Sequence, residues 1–345
     1  MFAVWRQRIP HNKENREMKI AVVGTGMIAR EALIALRQVE NVEVALICAR
    51  PHSREKARAL AQEFGIPQVA TDYGAMLAAH EADFVYLGIV NSAHFDYARQ
   101  AIEAGWHVIV EKPFASTLAE AEELIARARA AGCYLFEAVT PLFLPNYLGI
   151  LSALPQLGLI RLVQANFSQY SSRYERYLAR DVAPAFDPVL SGGALYDLNV
   201  YNLALIVALF GRPQSASYTA NIGFNGIDTS GVMTLRYDGF IATAAAAKDS
   251  TSPSFFMIQG ESGWIRAEGA INTLPSFTIG LHGREPQTYA LNRHEHRMVH
   301  EFEAMRDIFA RKDYLSVEEG MQTSRAVIAV MEKARLVAGI QFRVD

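Results

Sequence analysis

Three stretches of this 345-residue chain combine residue types and spacing that could do chemistry. The first is Gly24-Thr25-Gly26-Met27-Ile28-Ala29, a GxGxxA pattern after the apolar run 19–23. Gly24 would permit a tight turn, Gly26 would let backbone approach a pyrophosphate, and Ala29 would allow close helix–strand packing. Thr25, Met27 and Ile28 complete the segment expected to line a dinucleotide; the competing reading is a plain βα turn. The second stretch lacks something. NAD-binding sites usually place Asp or Glu about 20 residues on, for the ribose 2′-hydroxyl. Here the chain reads Ala49-Arg50-Pro51-His52-Ser53-Arg54, with no acid. Arg50, Ser53 and Arg54 would suit a 2′-phosphate, so NADP is expected over NAD. The alternative is that both arginines only solvate a loop. The third stretch is Glu111-Lys112-Pro113. Lys112 falls at a strand's carboxyl end, where open α/β sheets bind ligands. Pro113 keeps Lys112 out of helical geometry and permits a cis bond.

The elements that must position these residues follow from periodicity. Buried strands are expected at 19–23, 42–49, 84–90, 107–110 and 134–138, with a short one at Val69. Helices are expected at 27–38, 53–64, 73–79, 95–104 and 118–131, several ending at a glycine. This βαβα rhythm predicts a doubly wound parallel sheet, a Rossmann unit, over 18–138. After residue 139 the pattern changes. Alternating strands are expected at 159–168, 216–222, 231–237, 240–247, 255–260, 263–268 and 276–281. Short turns such as Tyr237-Asp238-Gly239 and Gly260-Glu261-Ser262-Gly263 suit antiparallel hairpins. Helices are expected at about 193–209, 294–311 and 317–338. The fold class is therefore α/β, followed over 139–345 by an α+β unit with an open, mainly antiparallel sheet.

Taken with Asn91-Ser92-Ala93-His94, Glu111-Lys112-Pro113-Phe114-Ala115 and the run Ser191-Gly192-Gly193-Ala194-Leu195-Tyr196-Asp197-Leu198-Asn199-Val200-Tyr201, the chain resembles the Gfo/Idh/MocA oxidoreductases from residue 18 onward. The resemblance implies NAD(P)-dependent redox chemistry on sugars, polyols or cyclic diols. It implies cofactor contacts at Asn91, His94 and the Glu111-Lys112 motif, and a substrate or acid/base role at Asp197. It also implies a homodimer or homotetramer formed through the second unit's sheet. Many members carry His where this chain has Tyr201; Tyr is similar to the glucose–fructose oxidoreductase and dihydrodiol dehydrogenase branches. Asp197 and Tyr201 are four apart and share a helix face. A phenol ionises near 10, and a neighbouring Lys112 ammonium would lower that value. Lys112 and Tyr201 thus form a coherent acid/base pair, with Asp197 orienting substrate. Tyr201 as a core aromatic and Asp197 as a local hydrogen-bonding residue are the competing readings. Arg173 is a further candidate for a polar substrate, and Asp187 and Asn202 are weaker ones. Glu137 ends a strand, which would place it near the nicotinamide or make it a buried hydrogen-bonded carboxylate.

Composition sets the outer limits. Lys and Arg total 33 against 36 Asp and Glu, a formal net charge of -3, which argues against nucleic acid. A 51% hydrophobic content supports a full core. Two cysteines, Cys48 and Cys133, suit a reducing, cytoplasmic setting. The apolar run 201–210 is shorter than the roughly 20 residues a membrane span needs. Residues 1–17 lack a signal-peptide core and are expected to be an extension outside the fold. His294, Glu295, His296, His300 and Glu301 lie close together but lack the HExxH order, so no metal is expected. A dinucleotide-binding sensor without turnover is the alternative to an enzyme.

Overall fold

The computed structural model describes residues 17–343; apart from Glu17, the expected N-terminal extension lies outside them. The first layer alternates strand and helix: β1 (Met18–Val23), α1 (Met27–Leu36), β2 (Val42–Cys48), α2 (Arg54–Phe64), β3 (Gln68–Ala70), α3 (Tyr73–Ala79), β4 (Phe84–Leu87), α4 (His94–Glu103), β5 (His107–Glu111), α5 (Leu118–Ala131) and β6 (Leu135–Ala138). The six strands pair in parallel in the order β3-β2-β1-β4-β5-β6. This is the doubly wound order, with its switch point between β1 and β4. Every residue of β4 is fully buried, as expected of a strand covered on both faces. The fold class matches the expectation.

The second layer holds α6 (Pro145–Ala153), β7 (Ile160–Ser168), α7 (Tyr174–Leu178), a π-helical turn over Leu195–Asn199 running into α8 (Val200–Phe210), β8 (Ser215–Ile222), β9 (Asp228–Arg236), β10 (Ile241–Ala247), β11 (Phe255–Gly260), β12 (Gly263–Glu268), β13 (Phe277–Leu281), β14 (Gln287–Tyr289), α9 (Arg297–Ala310) and α10 (Tyr314–Val337). Eight strands form one sheet, β14-β13-β12-β11-β7-β10-β9-β8. Each neighbouring pair in it is antiparallel except β7 with β10. Both expected hairpin turns are present, between β9 and β10 and between β11 and β12. The period-2 alternation buries Val163, Ala165, Phe167, Ala242, Ala244 and Met233 beneath α8, and turns Val232 and Ile241 outward.

Three elements were not expected: α6, α7 and β14. Pro145 opens α6 at a first-turn position, where the missing N–H costs nothing. The apolar helical stretch also reaches further back than 201–210. Residues Pro188–Phe210 are long and apolar enough to cross a membrane by composition, yet 78% of the most apolar window is buried inside this fold.

Backbone geometry fixes where α8 begins. Gly193 has φ +100, and a Cβ there would stand 2.0 Å from Asp228 Oδ1. Asp228 Oδ2 accepts from the Leu195 N–H at 2.7 Å and from the Tyr218 hydroxyl at 2.7 Å. Lower in the same helical run, the Asn199 amide donates to the Ala244 carbonyl and the Asn202 amide to the Ala245 carbonyl. Gly193→Ala should therefore unseat Asp228 and cost about 1–3 kcal/mol. Urea unfolding would measure this; an unchanged midpoint and slope would contradict it.

Candidate functional site

The glycine turn joins β1 to α1 with Gly24 at φ +122, where a Cβ would meet the Gly88 carbonyl oxygen at 2.3 Å. A Cβ on Gly26 would meet nothing within 4 Å, so space is open above the turn. That space belongs to a cavity of about 820 Å³. Gly24, Thr25, Gly26, Met27, Ile28, Ala49, Arg50, Ser53 and Lys56 line one side, and Arg173 and Pro184 of the second layer line the other. Among the described lining residues are three fixed cations, Arg50, Lys56 and Arg173, and no carboxylate. A dinucleotide with an added phosphate fits such a lining by charge and by the open glycine cradle.

The second cluster joins the two layers. Lys112, at the carboxyl end of β5, donates through Nζ to Asp197 Oδ1 at 3.0 Å and to the Asp197 carbonyl at 2.9 Å. Its Nζ lies 4.9 Å from the Tyr201 ring centroid. A third residue completes the group. Lys248 Nζ donates to Asp197 Oδ2 at 2.7 Å, so one carboxylate bridges two ammonium groups. Burial would pull Lys112 below the ordinary lysine value, but Tyr201, Asp197 and Glu111 outweigh burial and hold it above. Burial would likewise raise Asp197; Lys248 and Lys112 win and hold it well below the usual carboxylate range. The Asp197 side chain is still 32% exposed, leaving it within reach of a ligand.

Several expected placements are corrected. Lys112 was expected to lower the Tyr201 phenol. It does pull that way, through the ring face, but burial is larger and the net shift is upward. His94 does not line the cavity. It is fully buried, 2.9 Å from the Pro113 carbonyl and 3.3 Å from the Ile89 carbonyl, and burial drops it to about 4. It is a neutral strut under the loop that follows Lys112. Arg54 opens α2 as an exposed residue off the lining, and Lys56, two residues further, lines the cavity. Glu111 is buried and accepts the Tyr86 hydroxyl at 2.6 Å rather than facing a cofactor. Asn91 donates to the Ser191 carbonyl at 2.8 Å, tying the layers together. Arg173 faces the glycine-turn cavity. Asp187 caps the Val189 N–H, and Asn202 is a buried link to β10. His300 accepts from the Arg293 N–H, and His296 pairs with Glu31.

Comparison with known proteins decides the family. Residues 18–139 match an oxidoreductase family with an NAD-binding Rossmann fold, and residues 155–266 match its GFO/IDH/MocA C-terminal domain. The chain belongs to the Gfo/Idh/MocA oxidoreductase family. It is 33% identical over 328 residues to YgjR, an uncharacterized oxidoreductase of Escherichia coli, covering 95% of this chain and 98% of that one. It is 32% identical to the NADP(+) scyllo-inositol 2-dehydrogenase IolU of Bacillus subtilis, covering 95% and 99%. Among solved structures, a 3-ketoreductase from Actinomadura kijaniata in complex with NADP and TDP-benzene shares the fold. It has a TM-score of 0.79 and 23% identity, over 93% of this chain and 98% of that one.

Within this Gfo/Idh/MocA chain, Lys248 and Lys56 are the residues of these two clusters that sequence reading missed. For Lys248, the only local signal is one charged residue closing the strand end Ala244-Ala245-Ala246-Ala247. Behind Lys112 lie three buried carboxyls, Glu111, Glu137 and Glu301. Glu137 Oε1 accepts the Phe114 N–H at 2.9 Å, so with His94, which meets the Pro113 carbonyl, it holds both polar groups of the Pro113–Phe114 peptide. Burial lifts Glu137 from 4.5 to about 7. The native state therefore keeps this proton at pH values where the unfolded chain has lost it, and stability falls as pH rises between about 4.5 and 7. Glu137→Gln keeps the acceptor and removes the titration. Between pH 5 and 8 it should lose less stability than wild type, by up to about 3 kcal/mol. Urea unfolding at both pH values tests this, and equal pH slopes for the two proteins would contradict it.

Proposed function

We propose an NADP-dependent dehydrogenase or reductase that acts on a hydroxyl- or carbonyl-bearing carbon of a sugar, polyol or cyclic diol. The observation that carries the cofactor is the lining of the glycine-turn cavity, with three fixed cations and no acid. The NADP(+) named for the inositol dehydrogenase and bound in the ketoreductase structure supports it. Gly24 to Ile28 would hold the pyrophosphate, and Arg50, Ser53 and Lys56 the 2′-phosphate. Arg173 would close the cavity from the second layer. When bound, the nicotinamide supplies the hydride acceptor or donor.

The chain's own residues then bind, orient and move a proton. Lys112 holds its ammonium at the end of β5 and donates toward a substrate oxygen, stabilising negative charge as it develops there. Tyr201 rests as a neutral phenol, so it is a proton donor during carbonyl reduction and a proton acceptor in the reverse direction. In that reverse direction the Lys112 charge at its ring face favours the phenolate. Asp197, ionised and partly exposed, orients a substrate hydroxyl. Residues 18–138 form the cofactor unit and 139–343 the substrate unit. The outward face of the second sheet, with Val232 and Ile241 exposed, is the face a second copy would cover.

Lys112→Ala and Tyr201→Phe should each lower turnover by about 100-fold or more, with little change in NADP affinity. Nicotinamide absorbance at 340 nm, followed over a panel of sugars, polyols and diols, gives the rates. Wild-type turnover in both variants would overturn the assignment, and cofactor binding with no turnover on any substrate would favour a sensor. Arg50→Ala should weaken NADP by about 10-fold or more while sparing NAD. Equal losses for the two cofactors, read by titration of protein fluorescence, would remove Arg50 from the phosphate site.

A further inference from the structure

Lys248 stands one residue beyond β10 and is only 2% exposed. Both ends of the residue are fixed. Its N–H donates to the Thr229 carbonyl at 2.8 Å, and its carbonyl accepts from the Ser171 N–H at 2.9 Å. Its Nζ donates to Asp197 Oδ2 at 2.7 Å and to the Ala185 carbonyl at 2.5 Å, and lies 4.4 Å from the Phe186 ring centroid. Lys112 Nζ holds the other oxygen of the same carboxylate at 3.0 Å.

The charge count of this trio is uneven: two ammonium groups share one carboxylate, for a formal excess of one positive charge. Other ionisable groups face the trio. Tyr201, on α8, is held toward its neutral form by burial. Glu111 on β5 acts on Lys112, and Asp228 on β9 feels Lys248; burial raises both carboxyls. Arg297, on α9, adds positive character near Tyr201. If Asp197 faced Lys112 alone, the pair would be neutral and the carboxylate could take the ammonium's donors for itself.

We propose that Lys248 is a positioning residue: by occupying one oxygen of Asp197 it limits that carboxylate to a single bond from Lys112, whose ammonium keeps a donor for the substrate oxygen. Its kinetic consequence rests on the oxidoreductase reading above, whereas its electrostatic consequence for Asp197 does not. Lys248 also ties that carboxylate to two segments at the edge of the dinucleotide cavity. One is the Ser171 loop that leads to Arg173, and the other is Ala185, next to Pro184.

The test uses the full chain and three variants. Lys248→Gln keeps a donor for the Ala185 carbonyl without charge, Lys248→Met keeps the stem alone, and Lys248→Arg keeps the charge. In protein labelled with carboxyl-13C aspartate, the Asp197 resonance is assigned by its loss in Asp197→Asn. Its titration midpoint should move to higher pH in the Gln and Met variants and return toward wild type in the Arg variant. On a substrate the wild type turns over, kcat should fall on the order of 10- to 100-fold in the two neutral variants, more than KM changes. The acid limb of the kcat profile should move up in pH with Asp197. An unmoved Asp197 titration in a folded neutral variant would overturn the inference, as would equal kinetic losses in the Arg and Gln variants. Failure of the wild type on every substrate would count against the oxidoreductase reading alone, because the Asp197 titration still decides the role of Lys248.

Discussion

The Asp197 carboxylate is the point on which the arrangement turns. It is reached from two sheets at once, by Lys112 at the end of β5 and by Lys248 at the end of β10. Charges taken out of water are stable only with partners in good geometry. Here the partners come from separate layers, so the relative placement of the layers and the ionisation of the site depend on one another. Neutral links surround the charged one. The Ser116 and Ser191 hydroxyls meet at 2.7 Å, the Tyr196 hydroxyl donates to the Ser116 carbonyl, and Asn91 donates to the Ser191 carbonyl. These links hold the layers in register at no charge cost.

The supports of the site divide the same way. On the first layer, His94 and Glu137 hold the carbonyl and the N–H of the Pro113–Phe114 peptide, so the backbone just after Lys112 is fixed below the cleft. On the second layer, Asp228 holds the first turn ahead of Asp197, while Asn199 and Asn202 tie the following turns to β10. The π-helical turn lies between those anchors, and its Asp197 carbonyl is a further acceptor for Lys112. Irregular helical turns recur at functional sites because they re-aim a side chain without ending the helix.

Much of the architecture was legible because burial writes itself into spacing. The β1-to-α1 glycine turn, the parallel rhythm and the hairpins of the second sheet each follow from short-range pattern. What was not legible has physical reasons. Pro145 and Gly149 signal a break, yet proline is tolerated in a first helical turn and α6 begins there. The three residues of β14 are too few to show a period. At the site, Lys112 and Asp197 could be named from their motifs, but Lys248 is 51 residues from Asp197 and no spacing rule links a strand end to a distant helix. His94 misled by type: histidine suggests chemistry, and only full burial reveals a neutral strut. Arg54 was named for its nearness to Arg50, but it opens α2 as an exposed residue, and Lys56 two residues on lines the cavity. Tyr201 was judged from one neighbour, while the cost of its own burial is larger.

The parallel pairing of β7 with β10 has a consequence for how this cleft can be remodelled. Parallel neighbours release their chains at the same end of a sheet, as Ser168 beside Ala247 does here. The loop bearing Arg173 and the loop opening with Lys248 therefore leave side by side, although more than seventy residues separate them. An antiparallel pairing would have sent one to the far edge. Each loop can lengthen, shorten or change residues without altering the register of the strands beneath. The scaffold thus offers two independent rims over one fixed cluster, one beside the glycine-turn cavity and one beside the Asp197 carboxylate.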